Sequence, residues 1–432
     1  MIPKPFIPVF TVSLLISLSA TPHVSADVSP GDVIDKSNWQ KVEGLLPEEV
    51  LNWVKKGDFI LEIGKLEGDT GDFYPEAAKQ AFQANVGKYD LDEAGGVVEI
   101  ASGKLARPIG LPFPQIDPKD PKSAEKIMQN QHYQSVICGN LDLPSQLIWL
   151  SRSGFEREVG FAWLNFTMVG WPGALELSNP QGIEKYAILL VNEPFDLAGT
   201  AILLWRYLAP DKQDSTYGYL PAIRRVRRMS PANRSDAFVG SDCCVDDANG
   251  YDGKISDFKW KLVKKQEGLV PWLDSRPIRV TKNRKEEWET TKDVKPLIYG
   301  YEKEGWQGAP WAPTNLVWVK RPVYVLQMTP KDPYYNYGTH YMWVDAPTYG
   351  CFFKVIHDRA GVFWKVFMKA DALCESDDKS MRYIALTHQL IIDEKMDHAT
   401  KIGGVSPTNI WTSFAKMDEN DFSLAGFQKF CK

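Results

Sequence analysis

The feature that most constrains this chain is a series of strand-like segments that are apolar on both faces. In AILLWRYL, residues 201–208, one face carries Ala201, Leu203, Trp205 and Tyr207. The other carries Ile202, Leu204 and Leu208. A strand of this kind must be covered on both sides. LIWLSRS, VGFAWLNFTMVG, KYAILLVNE, NLVWVKRPVYVLQMT and MRYIALTHQLIID share its richness in β-branched and aromatic residues. DFKWKLV differs, because Phe258, Trp260 and Leu262 alternate with Lys259 and Lys261, so one face there should meet water. HYMWVDAPTYGCFFKVIHDRAGVFWKVFMK holds two turn signals, Ala346-Pro347-Thr348 and Asp358 to Gly361, and reads as a three-stranded meander.

Helical signals concentrate before these strands. PEEVLNWVKKG starts at Pro47 and stops at Gly57; YPEAAKQAFQANVG runs likewise from Pro75 to Gly87. DPKDPKSAEKIMQN predicts a helix capped by Asp120 with Pro121 in its first position. GLPFPQID is too rich in proline for a central strand. A last short helix is expected in DENDFSLAGFQKF. Strand following strand through short turns predicts an α+β, β-rich class built on a large antiparallel sheet. The expected organisation is one domain over 27–432, helix-rich over 27–140 and a meander over 141–432.

The N-terminus bears on compartment. Lys4, the apolar run IPVFTVSLLISLSA and the small-x-small site Val24-Ser25-Ala26 read as a secretory signal peptide, 1–26, cleaved after Ala26. An exported protein, in the periplasm of a bacterium, is the expectation. The net charge of −5 argues against a polyanion as partner. Six cysteines in an oxidising compartment permit disulfides. Cys351 and Cys374 flank a strand pair and are the expected bridge. Sequons at Asn165 and Asn233 matter only in a eukaryotic secretory pathway.

Catalytic signatures are missing. The chain has no G-x-S-x-G elbow, no H-E-x-x-H and no Walker A loop, and only six histidines. His388 and His398 bracket Asp393, Glu394 and Asp397, but without a metal-ligand spacing. VDDANGYDGKISD resembles a calcium loop at Asp247, Asn249 and Gly250, yet has Val245 and Ser256 at two ligand positions. No cofactor and no metal are expected. An envelope hydrolase built from distant residues is the weakest of the functional alternatives.

YGYLPAIRRVRRMS, 217–230, packs Arg224, Arg225, Arg227 and Arg228 into five positions. Period two puts Arg224 and Arg228 on one face and Arg225 and Arg227 on the other. The next segment carries Asp236, Asp242, Asp246, Asp247, Asp252 and Asp257. Two readings stand side by side. The arginines lock to these aspartates in an internal salt-bridge lattice, or they present a surface to an anionic headgroup or an acidic partner.

Four stretches together carry a family resemblance: GLPFPQIDPKDPKSAEKIMQN, YGYLPAIRRVRRMSPANRSDAFVGSD, DGKISDFKWKLVKKQEGLVP and HYMWVDAPTYGCFFKVIHDRAGVFWK. The chain resembles the bacterial domain-of-unknown-function family DUF1329 from about Leu45 onward. Tyr217 and His357 stand where Trp and Tyr are expected, and the pair Cys243-Cys244 is foreign to the pattern. The resemblance implies an enlarged relative of the LolA/LolB carriers, whose fold is an incomplete antiparallel β-barrel with helices over an apolar cavity. Members tend to be encoded near resistance-nodulation-division exporters and outer-membrane proteins. The implied role is binding and trafficking of a lipid, an acyl chain or another hydrophobic molecule, with peripheral membrane contact. The alternative is a protein-binding accessory module of an envelope complex. Trp163, Phe166, Leu203 and Trp205 are the expected apolar lining. Arg224, Arg225, Arg227 and Arg228 are the expected headgroup or partner contact.

Overall fold

The computed structural model describes residues 28–68, 73–230 and 234–431. The expected signal peptide and Asn233 lie outside the described residues. The first helix, α1 (Glu48–Lys56), follows Pro47 and ends at Gly57, whose φ of 84° supplies the left-handed stop. After the short strand β1 (Leu61–Gly64) come α2 (Glu76–Asn85) and α3 (Ser123–Val136). The third helix begins after Lys122, later than its sequence suggests. Asp120 accepts a hydrogen bond from the Lys122 amide and so closes a turn ahead of the helix instead of capping it.

Thirteen further strands form the antiparallel run of the main sheet, to which the short strands Val33–Ile34, Ile278–Lys282, Trp288–Thr290 and Thr412–Ser413 also pair. The thirteen begin with β2 (Leu141–Ser151), β3 (Gly154–Thr167), β4 (Ile183–Glu193), β5 (Ala201–Tyr207), β6 (Ser215–Leu220) and β7 (Arg225–Met229). There follow β8 (Phe258–Trp272), β9 (Val317–Pro330), β10 (His340–Asp345) and β11 (Cys351–His357). The last are β12 (Phe363–Glu375), β13 (Arg382–Asp393) and β14 (His398–Gly403), before the C-terminal helix α4 (Leu424–Phe430). Their order across the sheet is β7-β6-β5-β4-β3-β2-β14-β13-β12-β11-β10-β9-β8, every neighbouring pair antiparallel. β1 adds a parallel pairing to β9. Among the described residues β7 and β8, the two ends, do not pair with each other, so the sheet is not a closed barrel.

Register shifts interrupt the ladders at Trp149/Leu150, Gly160/Phe161 and Ala370/Asp371, among others. Such bulges add twist and bend the sheet. Both faces of β3 to β6 are covered, as the two-sided apolar pattern requires. On the outer face, Phe166, Ile188, Leu203 and Tyr219 pack against Phe422 and Phe427 of the C-terminal segment. On the inner face, α3 lies over the strands. DFKWKLV behaves as its alternation predicts, with Phe258 and Trp260 buried and Lys259 and Lys261 exposed. Among the described residues no helix is long and apolar enough to cross a membrane.

Candidate functional site

The inner face encloses a cavity of about 210 Å³. Its floor follows from strand periodicity. Leu143 and Leu147 of β2, Trp163 of β3, Leu189 of β4 and Leu204 of β5 point the same way, and Leu386 of β13 completes the apolar surface. α3 forms one side of the roof through Gln131, His132, Gln134, Ser135 and Val136.

The rest of the roof is the Asp-rich segment 241–254, which lies as a strap across the concave face. Residue by residue it is tied to the strands beneath. The Asp242 carbonyl accepts from Lys365 Nζ of β12 at 2.6 Å, and its carboxylate accepts from Thr400 Oγ1 of β14 at 2.7 Å. Asp247 meets Lys354 Nζ of β11 at 2.5 Å and accepts from the Tyr337 hydroxyl at 3.0 Å. Asn249 accepts from Lys369 Nζ at 2.9 Å and from Gln131 Nε2 at its carbonyl at 2.8 Å. Asp252 pairs with Lys185 of β4 at 2.5 Å and with Arg206 of β5 at 2.9 Å. Gly250 lets the strap sit this close: its φ is +92°, and a Cβ there would stand 2.6 Å from Cys351 Cβ.

The electrostatics of the roof are nearly balanced. Burial pushes the Asp252 carboxyl up, but Arg206, Lys185 and Arg234 outweigh it and hold it below the ordinary range. Asp247 is likewise lowered, against burial, by Lys354. His132 is held neutral, pushed down to about 3 by burial and by Arg206. Two acidic groups go the other way. Burial raises Asp371 despite Lys369, whose Nζ stands 3.0 Å away. Burial also raises Glu184 against Arg206, Lys185 and Lys254. Glu184 is half-buried and lines both this cavity and a small neighbouring one. Neither Asp371 oxygen, nor Gln131 Oε1, receives a well-aligned hydrogen bond among the described residues.

The chain matches the family model "Protein of unknown function (DUF1329)" over residues 33–426. The chain belongs to the DUF1329 family. No curated protein matches it at a significant level. Among solved structures it is similar to a putative outer membrane lipoprotein-sorting protein domain from Vibrio parahaemolyticus. That match has 17% identity and a TM-score of 0.47, covering 70% of this chain and 97% of that one. A DUF1329 family protein from Desulfovibrio piger matches at 14% identity and TM-score 0.44, covering 68% and 94%. A LolA superfamily protein from Nitrosomonas europaea matches at 11% and 0.41, covering 70% and 98%.

Within this DUF1329 chain, the four residues expected to line a cavity separate. Trp163 lines it, with its indole donating to Asn165 Oδ1 at 2.9 Å. Phe166, Leu203 and Trp205 belong to the outer face, where the Trp205 indole donates to the Phe422 carbonyl. Strand parity explains this: Leu203 and Trp205 alternate with Ile202 and Leu204, and the latter pair faces inward. The expected Cys351–Cys374 bridge is not formed, and all six thiols are free. Phe353 pairs with Met368. Continuing that register sets Cys374 about four positions beyond the partner of Cys351, roughly 13 Å along the strand, too far for a bridge.

The arginine expectation divides as well. The aspartates do form an internal salt-bridge lattice, but with other cations: Arg206, Arg234, Lys185 and Lys354. Arg225, Arg227 and Arg228 lie on β7, an edge strand, and Arg224 sits in the preceding turn with φ 48°. All four are exposed, and none has an ion-pair partner among the described residues. His388 and His398 are also accounted for structurally: His388 Nδ1 lies 2.8 Å from the Tyr299 hydroxyl, and His398 Nδ1 lies 2.6 Å from Asp242.

Proposed function

We propose that this chain binds a hydrophobic molecule in the cavity between the sheet and its strap, and carries it within the bacterial envelope. The observation that carries the reading is an apolar floor under a polar, hydrogen-bonded roof. Apolar surface removed from water contributes about 25 cal/mol per Å² without any specific contact. The cavity volume is below the ~300–1,000 Å³ usual for drug-sized ligands, so it suits one short chain or a small ring system rather than a two-chain lipid.

The roof favours a neutral polar end. Both lysines of the lining, Lys185 and Lys369, already face a carboxylate. Asp371 Oδ1, on the side of the carboxylate away from Lys369, and Gln131 Oε1 are buried acceptors without a hydrogen-bond donor among the described residues. A ligand hydroxyl would complete them, whereas a carboxylate would meet no spare cation. The accessory-module alternative would place function on the outer surface and leave the cavity idle.

Solvent extraction of natively purified protein, followed by mass spectrometry, tests the reading directly. A co-purifying amphiphile is expected. Dodecanol should displace an environment-sensitive dye at least ten-fold better than dodecanoate. Ala187→Phe, which fills the cavity, should abolish dye binding while keeping the fold, because a single overpacked residue costs about 1–3 kcal/mol. Absence of any bound amphiphile, together with dye binding unchanged in Ala187→Phe, would sink the carrier reading.

A further inference from the structure

We infer that the hairpin tips beside the β7 edge form a contact surface for an anionic lipid bilayer. The pairing Leu190↔Ala201↔Tyr219 brings the β4–β5 and β6–β7 turns to the same end of the sheet. Glycine 199 fixes how close they are: a Cβ there would lie 3.3 Å from Pro221 Cγ and equally close to the Cys431 carbonyl oxygen. The two turns and the end of α4 therefore meet.

That end of the molecule carries large apolar side chains that stay half or fully exposed among the described residues. Phe195 is 98% exposed, Leu220 52%, Ile223 42% and Phe430 42%. Monomeric surfaces rarely gather large apolar side chains in this way unless they contact a membrane or another protein. Around them stand Arg224, Arg225, Arg227, Arg228 and Lys429, all exposed, against Glu193 and Asp196. The chain as a whole is acidic, at −5. A net acidic protein approaches an anionic surface only when turned so that a basic patch leads. Exposed apolar tips ringed by arginine match the interfacial region of a bilayer, where rings enter at headgroup depth and guanidinium groups meet lipid phosphates.

Charge on a free edge strand also keeps it from pairing with other chains. That role is indifferent to sign, which separates the two. The double variant Arg225→Glu/Arg227→Glu keeps the edge charged but reverses its attraction to lipid.

The test is sedimentation of the full chain with phosphatidylcholine vesicles, with and without phosphatidylglycerol, at low and high salt. The wild type should partition only onto the anionic vesicles and come off as salt rises. Each arginine removed should weaken partition about five-fold. The double glutamate variant should lose it altogether, and Phe195→Ser should lose about ten-fold at unchanged melting temperature. Equal partition of wild type and double variant would overturn the inference. So would retention of the wild type on lipid-free envelope proteins with none on vesicles, which would assign the surface to a protein partner. A negative vesicle result leaves the cavity reading untouched, because that rests on the dye and extraction measurements.

Discussion

Arg228 and Arg234 are six residues apart and live in opposite environments. Arg228 is exposed on an edge strand. Arg234 is nearly buried, 2.5 Å from Asp246 and 3.4 Å from Asp214, in a network that also holds Arg206 and Asp252. Residue type alone therefore does not assign a role. What differs is whether a carboxylate has been brought along. The strap carries its aspartates past the four clustered arginines and delivers them to cations that arrive singly from β4, β5 and β11. The clustered group is left facing outward, and the isolated ones hold the roof down.

The sharpest way to break this contrast is to remove the central buried cation. Arg206→Met removes the cation shared by Asp214 and Asp252, leaving Asp214 only the longer Arg234 contact and Asp252 only Lys185, and should cost about 3–5 kcal/mol in urea denaturation. A loss below about 1 kcal/mol would mean that the network tolerates the loss of its central cation, and the distinction between the two regions would fail.

Acid should attack the buried region next. His132 and His388 are pushed down to about 3, and His340 well below its ordinary value, each chiefly by burial. Unfolded histidine binds its proton near pH 6.5. The unfolded chain therefore takes up protons that the folded one refuses, and stability falls as pH drops from about 6.5 toward 3. Each histidine contributes about 1.4 kcal/mol per pH unit in that window. Asp371 and Glu184, whose carboxyls are raised, act in the opposite sense at its lower end. Denaturation midpoints measured at successive pH values check the slope. A flat profile between pH 7.5 and 5.5 would show that the three rings are not held neutral.

The exposed region should hardly respond. Arg227→Ala is expected to change stability by no more than about 0.5 kcal/mol. A larger loss in the same urea assay would reveal a structural role for the edge arginines.

The strands and turns were readable because period-two patterns and Pro/Gly punctuation are local. The side of each strand that faces the cavity was not. When both faces are apolar, parity says that Leu203 and Leu204 part company but not which one turns inward. Bulges such as Ala370/Asp371 then reset parity within a strand. The buried cations do leave a signal in the sequence. Arg206 continues the inward series Ile202 and Leu204, and Lys354 interrupts an otherwise apolar CFFKVIH. A charge on an inward position of a two-sided apolar strand asks for a partner elsewhere in the chain. Only the fold shows that the partner is the strap. Gly199 and Pro221 likewise meet through tertiary structure, with no hint in their spacing.

The pairing of β2 with β14 has a consequence in time. His398 lies opposite Ser151, and β1 waits for Val317. During synthesis β2 keeps one open edge until residues 398–402, about 250 positions later, have been made. Such non-local pairing makes folding slow and leaves unpaired strands exposed to aggregation. Completion of this sheet thus waits for residues 398–402, and truncation before them should yield insoluble chains rather than smaller folded ones.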